Sequence, residues 1–230
     1  IYLDASGDPL YQRGFRVGSV EAPIKENLAA GIIKLSGWEP GQAFLDPMCG
    51  SGTFLIEAAL IATNQAPGLK RNFGFMAWKN FDKALFKDIK KSYQNAIIQK
   101  DFLRIYGSDK DLRAVRVSKK NLVLAGFENC IQLACKQFNE IKPPLDEGVL
   151  VTNPPYGERI GDDEDLDNAY PDWARTLKQS FAGWSTYFLT NDFRMPKLMR
   201  LAPSKKTPLF NGALDCRLFE IKMVAGSNRK

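Results

Sequence analysis

Ala43-Phe44-Leu45-Asp46-Pro47-Met48-Cys49-Gly50-Ser51-Gly52-Thr53-Phe54-Leu55 sets the architecture of this chain. A short apolar run breaks at Asp46-Pro47. Two glycines follow, and then a segment with apolar residues at Phe54, Leu55, Ala58, Ala59, Ile61 and Ala62. The run reads as a buried strand, and the segment as a helix packed against it, spanning about Gly52 to Thr63. Gly50 and Gly52 permit a tight turn and close approach of a ligand. The helix N-terminus behind them offers N–H groups and partial positive charge, which suits an anion. A dinucleotide site would want G-x-G-x-x-G. This chain has G-S-G-T-F-L, with no third glycine.

A second stretch complements the first. Gly148-Val149-Leu150-Val151-Thr152 reads as a buried strand that ends at Asn153-Pro154-Pro155-Tyr156. Two prolines fix the backbone and remove two N–H donors. An amide, a rigid carbonyl and an aromatic ring then stand together at a strand end. Such a set holds a flat base by stacking and accepts hydrogen bonds from its exocyclic amine. A plain Asn-Pro-Pro turn reads the same way in isolation. The two stretches together, 107 positions apart and each following its own strand, make a far more specific signal.

The remaining chain alternates strand-like and helix-like segments. Helices are expected over Lys25 to Leu35, Phe81 to Gln99, Leu112 to Leu124 and Trp173 to Phe181. Further strands are expected over Phe102 to Tyr106, Cys130 to Cys135 and Thr186 to Thr190, with Lys206 to Phe210 and Leu214 to Met223 flanking Asn211-Gly212. Asn-Gly between two β-prone segments predicts a hairpin. The pattern predicts a doubly wound α/β fold, a mostly parallel seven-stranded sheet with an antiparallel C-terminal hairpin and helices on both faces. Ligands bind such sheets beyond the carboxyl ends of the strands. Asp109 falls at one such end, where it either accepts from ribose hydroxyls or caps the next helix; Asp111 is the better capping residue. Gln137 and Phe138 fall at another, where the amide would read an adenine edge and the phenyl would pack on its face. Residues 1–20 read as a hairpin or extended lead-in.

Composition narrows the chemistry. The 230 residues fit one substantial domain, 44% hydrophobic and 25% charged, with no apolar run long enough for a membrane span and no signal-peptide pattern. There is no histidine, which removes histidine bases, Ser-His-Asp triads and the usual zinc sites. The four cysteines form no C-x-x-C pair and read as reduced thiols; Cys49 is a small residue at a crowded turn. Net charge is +6. Arg194, Lys197, Arg200, Lys205 and Lys206 occur without an intervening acid, and a second basic run covers Lys79 to Lys91. Each is either a solvated face or a contact for a phosphate-rich partner. An acidic run, Asp162 to Asp165 with Asp167, reads as a solvated loop, and no metal site is expected.

Four segments carry a family resemblance. They are Asp46-Pro-Met-Cys-Gly-Ser-Gly-Thr-Phe-Leu-Ile-Glu-Ala-Ala, Asn153-Pro-Pro-Tyr-Gly-Glu-Arg, Phe210-Asn-Gly-Ala-Leu-Asp-Cys-Arg-Leu, and Arg13-Gly-Phe-Arg followed by Ala22-Pro-Ile-Lys-Glu-Asn. Together they resemble the bacterial THUMP-associated ribosomal RNA guanine-N2 methyltransferases, often labelled adenine-N6-specific DNA methylases. The resemblance covers nearly the whole chain. It implies a Rossmann-like class I fold, a cytoplasmic enzyme, and S-adenosylmethionine (SAM) as methyl donor, with S-adenosylhomocysteine (SAH) as product and no metal. The implied cofactor residues are Asp46, Met48, Cys49, Gly50, Ser51, Gly52, Thr53, Asp109, Gln137, Phe138 and Asn153, with Pro23 to Asn27 closing over the cofactor. The implied catalytic residues are Asn153, Pro154, Pro155 and Tyr156, acting on guanine N2 in 23S ribosomal RNA. An adenine-N6 DNA methyltransferase and a non-catalytic RNA-binding module are the alternatives. Relatives carry an RNA-binding THUMP module before this domain. Residues 1–20 are therefore expected to be a lead-in from it, and 21–230 the methyltransferase domain. An aspartate commonly stands where this chain has Gln137.

Overall fold

A computed structural model describes residues 3–15, 24–155 and 166–226. Its central strand, β1 (Ala43–Asp46), is buried along its whole length, as a parallel strand covered on both faces must be. In chain order the other strands are β2 (Ile105–Asp109), β3 (Gln132–Cys135), β4 (Gly148–Thr152), β5 (Trp184–Thr190), β6 (Lys205–Asn211) and β7 (Leu214–Lys222). The helices are α1 (Glu26–Leu35), α2 (Thr53–Ala62), α3 (Lys83–Asn95), α4 (Leu112–Ala125), α5 (Leu166–Ser180) and α6 (Met195–Met199). The sheet order is β3-β2-β1-β4-β5-β7-β6. The first five strands are parallel, and β7 runs antiparallel to both β5 and β6. Strand order reverses between β1 and β4, so the crevice beyond their carboxyl ends is the place for a ligand.

Two apolar layers cover the sheet. On one face Ile32 and Ile33 of α1, Phe54 and Leu55 of α2 and Leu122 of α4 pack over Phe44, Val149 and Val151. On the other, Tyr170 and Leu177 of α5 and Met195 of α6 pack over Leu45, Leu150 and Phe188. Gly107 in β2 seats α2: a Cβ there would lie 2.4 Å from Leu55 Cδ1. That close approach explains why a glycine stands inside a strand.

The expected order of elements is observed, with instructive shifts. The second strand begins at Ile105, not Phe102, so Gly107-Ser108-Asp109 end the strand itself. The predicted helix from Trp173 begins at Leu166 and carries Pro171 inside it. Pro171 has no N–H to donate, so the helix gives up one backbone bond there. The helix expected over Phe81 to Gln99 is shorter and has no buried residue. In the hairpin Asn211 pairs with Leu214, leaving Gly212 and Ala213 as the turn, with φ +65° at Gly212. Residues 3–15 form turns and irregular backbone, and the rest of the segment expected to be a hairpin or extended lead-in lies outside the described residues. They are held by Arg71, whose guanidinium donates to the carbonyls of Ser6, Asp8 and Pro9.

Two glycines give opposite expectations. Gly107→Ala forces a methyl into Leu55 and should destabilise the protein by about 1–3 kcal/mol. Gly31→Ala, inside α1 with nothing within 4 Å of the new methyl, should stabilise by about 0.5–1 kcal/mol. Urea unfolding of the two variants checks both, and equal midpoints would contradict the packing described.

Candidate active site

Two strand ends meet at the switch point. Asp46 closes β1 and Thr152 closes β4. Leu45 lies in register with Leu150, so both strands leave the sheet on the same edge. There Thr152 Oγ1 donates to Asp46 Oδ1 at 3.1 Å, and the Met48 N–H donates to the same oxygen at 3.2 Å. The carboxyl is 1% exposed. Burial pushes its pKa up to about 8, against the pull of the Met48 and Thr152 hydrogen bonds. Desolvation thus favours the protonated form, and a cation placed beside the carboxyl would favour ionisation.

The glycine turn is braced from two sides. Asp109, the last residue of β2, accepts from the Gly50 N–H through Oδ2 at 2.9 Å and from the Asp111 N–H through Oδ1 at 2.9 Å. Asp111 itself caps α4, as expected, by accepting from the Arg113 N–H at 2.8 Å. Two buried polar residues of α4 hold the turn from below. Ser118 Oγ donates to the Gly50 carbonyl at 2.7 Å, and Asn121 Nδ2 donates to the Ser51 carbonyl at 2.9 Å. Gly52 has φ +82°, and a Cβ there would sit 3.0 Å from Ser118 Oγ. The second glycine thus serves the approach of α4 as well as the turn. Gly52 is also the N-cap of α2, where no side-chain cap closes the helix N-terminus.

Cys49 is buried against Ser118. Burial, with the nearby Asp46 carboxyl, raises its thiol well above the usual range. It is therefore a packing residue rather than a nucleophile. Met48 and Ser51 complete the turn, half-buried and buried respectively. Ser51 Oγ lies 3.3 Å from Thr53 Oγ1. Arg13 Nε donates to Glu57 Oε1 at 3.2 Å, tying the lead-in to the middle of α2. Burial raises Glu57 to about 7; Arg13 opposes that rise and Glu26 of α1 adds to it.

The other expected site residues divide. Asn153 and Pro155 are half-buried and Pro154 is buried, directly past Thr152. Tyr156, Pro23 and the acidic run from Asp162 to Asp165 lie outside the described residues. Gln137 is exposed, and its N–H donates to Glu140 at 2.9 Å. Phe138 corrects the expectation of an open ring face. It is 5% exposed and packs with Trp173 and Phe188, centroids 5.3 and 6.3 Å away. Thr152, Ser118 and Asn121 were not singled out from the sequence. Their signal was there: Ser118 and Asn121 interrupt the buried stripe of Ala114, Leu122 and Ala125 on α4.

Fold and site together define a Rossmann-like class I methyltransferase domain. Residues 13–220 match the model of the UPF0020 family, the RMKL-like methyltransferase domain, and the chain belongs to that family. A relative named ribosomal RNA large subunit methyltransferase K/L, from Shewanella sp. strain W3-18-1, is 41% identical over 235 residues, covering all of this chain and 33% of the relative. The chain thus spans about a third of the curated relatives it matches. Among solved structures, the candidate methyltransferase SMU.472, complexed with SAH, superposes with a TM-score of 0.90 at 39% identity, covering 97% of this chain and 58% of that one. A structure from Listeria monocytogenes strain 4b F2365, named a predicted N6-adenine-specific DNA methylase, gives 0.87 at 34% identity over 96% of this chain and 57% of that one.

The raised Asp46 pKa has a measurable sign. Its folded value of about 8 lies above the ordinary carboxylate value of 3.8, so the folded state holds the proton more tightly. The resulting stability is complete at low pH and is lost as pH rises through 8. Glu57, at about 7, acts in the same direction. Asp46→Asn keeps an oxygen for Thr152 and Met48 but cannot ionise. Urea unfolding should show the variant gaining on wild type from about pH 5 to pH 9; parallel profiles would refute the assignment.

Proposed function

We propose that this chain transfers a methyl group from SAM to the exocyclic N2 amine of a guanine in 23S ribosomal RNA, in the cytoplasm. The observation that carries the reading is the Thr152–Asp46 hydrogen bond, which joins the glycine turn and the Asn-Pro-Pro segment at adjacent strand ends. The name of the Shewanella relative and the SAH complex of SMU.472 support it.

The residues present fit the cofactor. A buried carboxyl short of a cation, Asp46, matches an α-ammonium group. The uncapped N-terminus of α2 matches the methionine carboxylate. Asp109, already fixed by two N–H donors, keeps lone pairs for ribose hydroxyls. Exposed Gln137 meets the adenine edge. When bound, SAM supplies an electrophilic methyl group on a sulfonium.

The chain's own residues then prepare the amine. The guanine N2 lone pair is delocalised into its ring. The Asn153 side chain and the Pro154 carbonyl accept hydrogen bonds from its two N–H groups, favouring a tetrahedral nitrogen whose lone pair is free to attack. Tyr156 stacks on the base and fixes its plane, and Pro155 stiffens the loop. The base must be unpaired or flipped out to enter. No strong acid is needed, because the leaving sulfide would be neutral; the methylated nitrogen gives up its extra proton to solvent water, so the lack of histidine is no obstacle. Adenine-N6 methylation of DNA, the name of the Listeria structure, uses the same chemistry and is the second reading.

Labelled SAM should deliver methyl to ribosomal RNA and not to DNA, with N2-methylguanosine in the nucleoside digest; N6-methyladenosine would favour the second reading. Asn153→Ala should cut turnover at least about a hundredfold while leaving SAM affinity unchanged. Lost SAM binding in that variant would overturn the role given to Asn153.

A further inference from the structure

The basic run from Arg194 to Lys206 lies next to this site. Between Phe193 and Asp215 the chain carries Arg194, Lys197, Arg200, Lys205 and Lys206 and no acid. It includes β6, the edge strand of the sheet. Lys206, Pro208 and Phe210 pair with Phe219, Arg217 and Asp215 of β7. Because side chains alternate along a strand, these residues share one face, the one on which Phe219 joins the α5–α6 layer. All three β6 residues are exposed. Phe210 shows 66% of its surface to solvent and Phe193 shows 50%. The Arg217 guanidinium lies over the Phe193 ring, 4.6 Å from its centroid, and is held there by Asp215.

The register places this patch at the catalytic edge. Thr152 pairs with Phe188, and Thr190, which ends β5, pairs with Arg217. Phe193 therefore leaves the sheet on the same edge as Asn153, one strand over. Phe210, opposite Asp215, overhangs the end of β5 by two residues, roughly 7 Å. Three strand spacings separate β6 from β4, about 14 Å. Two exposed phenylalanines, a guanidinium stacked on one of them and Lys206 set opposite the apolar Phe219 make little sense as a plain solvated edge. Aromatic rings beside cations are what single-stranded nucleic acid requires: rings for bases and charge for phosphates.

We propose that Phe193, Arg217, Phe210 and Lys206 form a track for the unpaired nucleotides that flank the target base. Phe193 with Arg217 stacks on one flanking base, Phe210 stacks on the next, and Lys206 faces the connecting phosphates. The proposal rests on the RNA reading above and adds which part of the surface holds the RNA, and in what state.

Fluorescence anisotropy with a labelled twelve-nucleotide single-stranded RNA and no methyl donor tests it. The Phe193→Ala/Phe210→Ala double variant should bind at least about tenfold more weakly than wild type, and Lys206→Glu should bind more weakly too, with unfolding midpoints unchanged. A control, Lys87→Ala/Lys91→Ala on α3, should lose much less. Unchanged affinity in the double variant, an equal loss in the control, no binding by wild type, or equally tight binding of duplex RNA would each overturn the track. Methyl transfer is read separately. A track without transfer would sink the methyltransferase reading alone, and transfer with unaltered variant binding would sink the track alone.

Discussion

One buried hydrogen bond organises this site: the Thr152 hydroxyl donating to the Asp46 carboxyl where β1 and β4 end side by side. Its net contribution to stability is modest, about 1 kcal/mol. Its importance is positional. It fixes two loops that are far apart along the chain to one point of a rigid sheet. Everything else at the site hangs from those loops: the glycine turn on one, the Asn-Pro-Pro segment on the other. The sheet order makes the meeting unavoidable, because β1 and β4 are neighbours only where the winding reverses.

The glycine turn shows how much protein structure such a turn demands. Asp109 pulls on it from β2, while Ser118 and Asn121 pull from α4. Part of the bracing goes to the Gly50 and Ser51 carbonyls, and part to the N–H groups of Met48, Cys49, Gly50 and Gly52, which donate to Asp46, Ser108, Asp109 and Cys49. The Gly50 N–H links the turn directly to the acid at the end of β2. Arg13 and Glu57 extend this bracing to the lead-in, so motifs that look separate in the sequence converge on α2.

Much of this was legible in the sequence, for physical reasons. The apolar runs ending at Asp46, Asp109 and Thr152 announced buried parallel strands, and the Asn-Gly pair announced the terminal hairpin. Helix ends were less readable. The helix expected from Trp173 begins at Leu166 and runs through Pro171. The segment before α1 read as a hairpin or extended stretch because glycines punctuate it; in residues 3–15 it is Arg71, remote in sequence, that satisfies the carbonyls of an irregular backbone. Within the site, charged and glycine residues stood out, but the polar residues that hold them did not. Thr152 reads as an ordinary β-branched strand residue, and the part played by Ser118 depends on what lies across from α4. Phe138 shows the converse error: its position beyond β3 suggested a base platform, but tertiary packing drew the ring between Trp173 and Phe188.

Convergence of the two loops on one transfer geometry is most directly examined by the position of the cofactor's sulfur in a structure of this chain with SAH bound. The account predicts that the sulfur faces Asn153 across the crevice between β1 and β4, with space between them for a methyl group and one planar amine at a reactive separation of about 3–3.5 Å. A sulfur on the far side of the Gly50–Gly52 turn, screened from Asn153 by protein atoms, would contradict it.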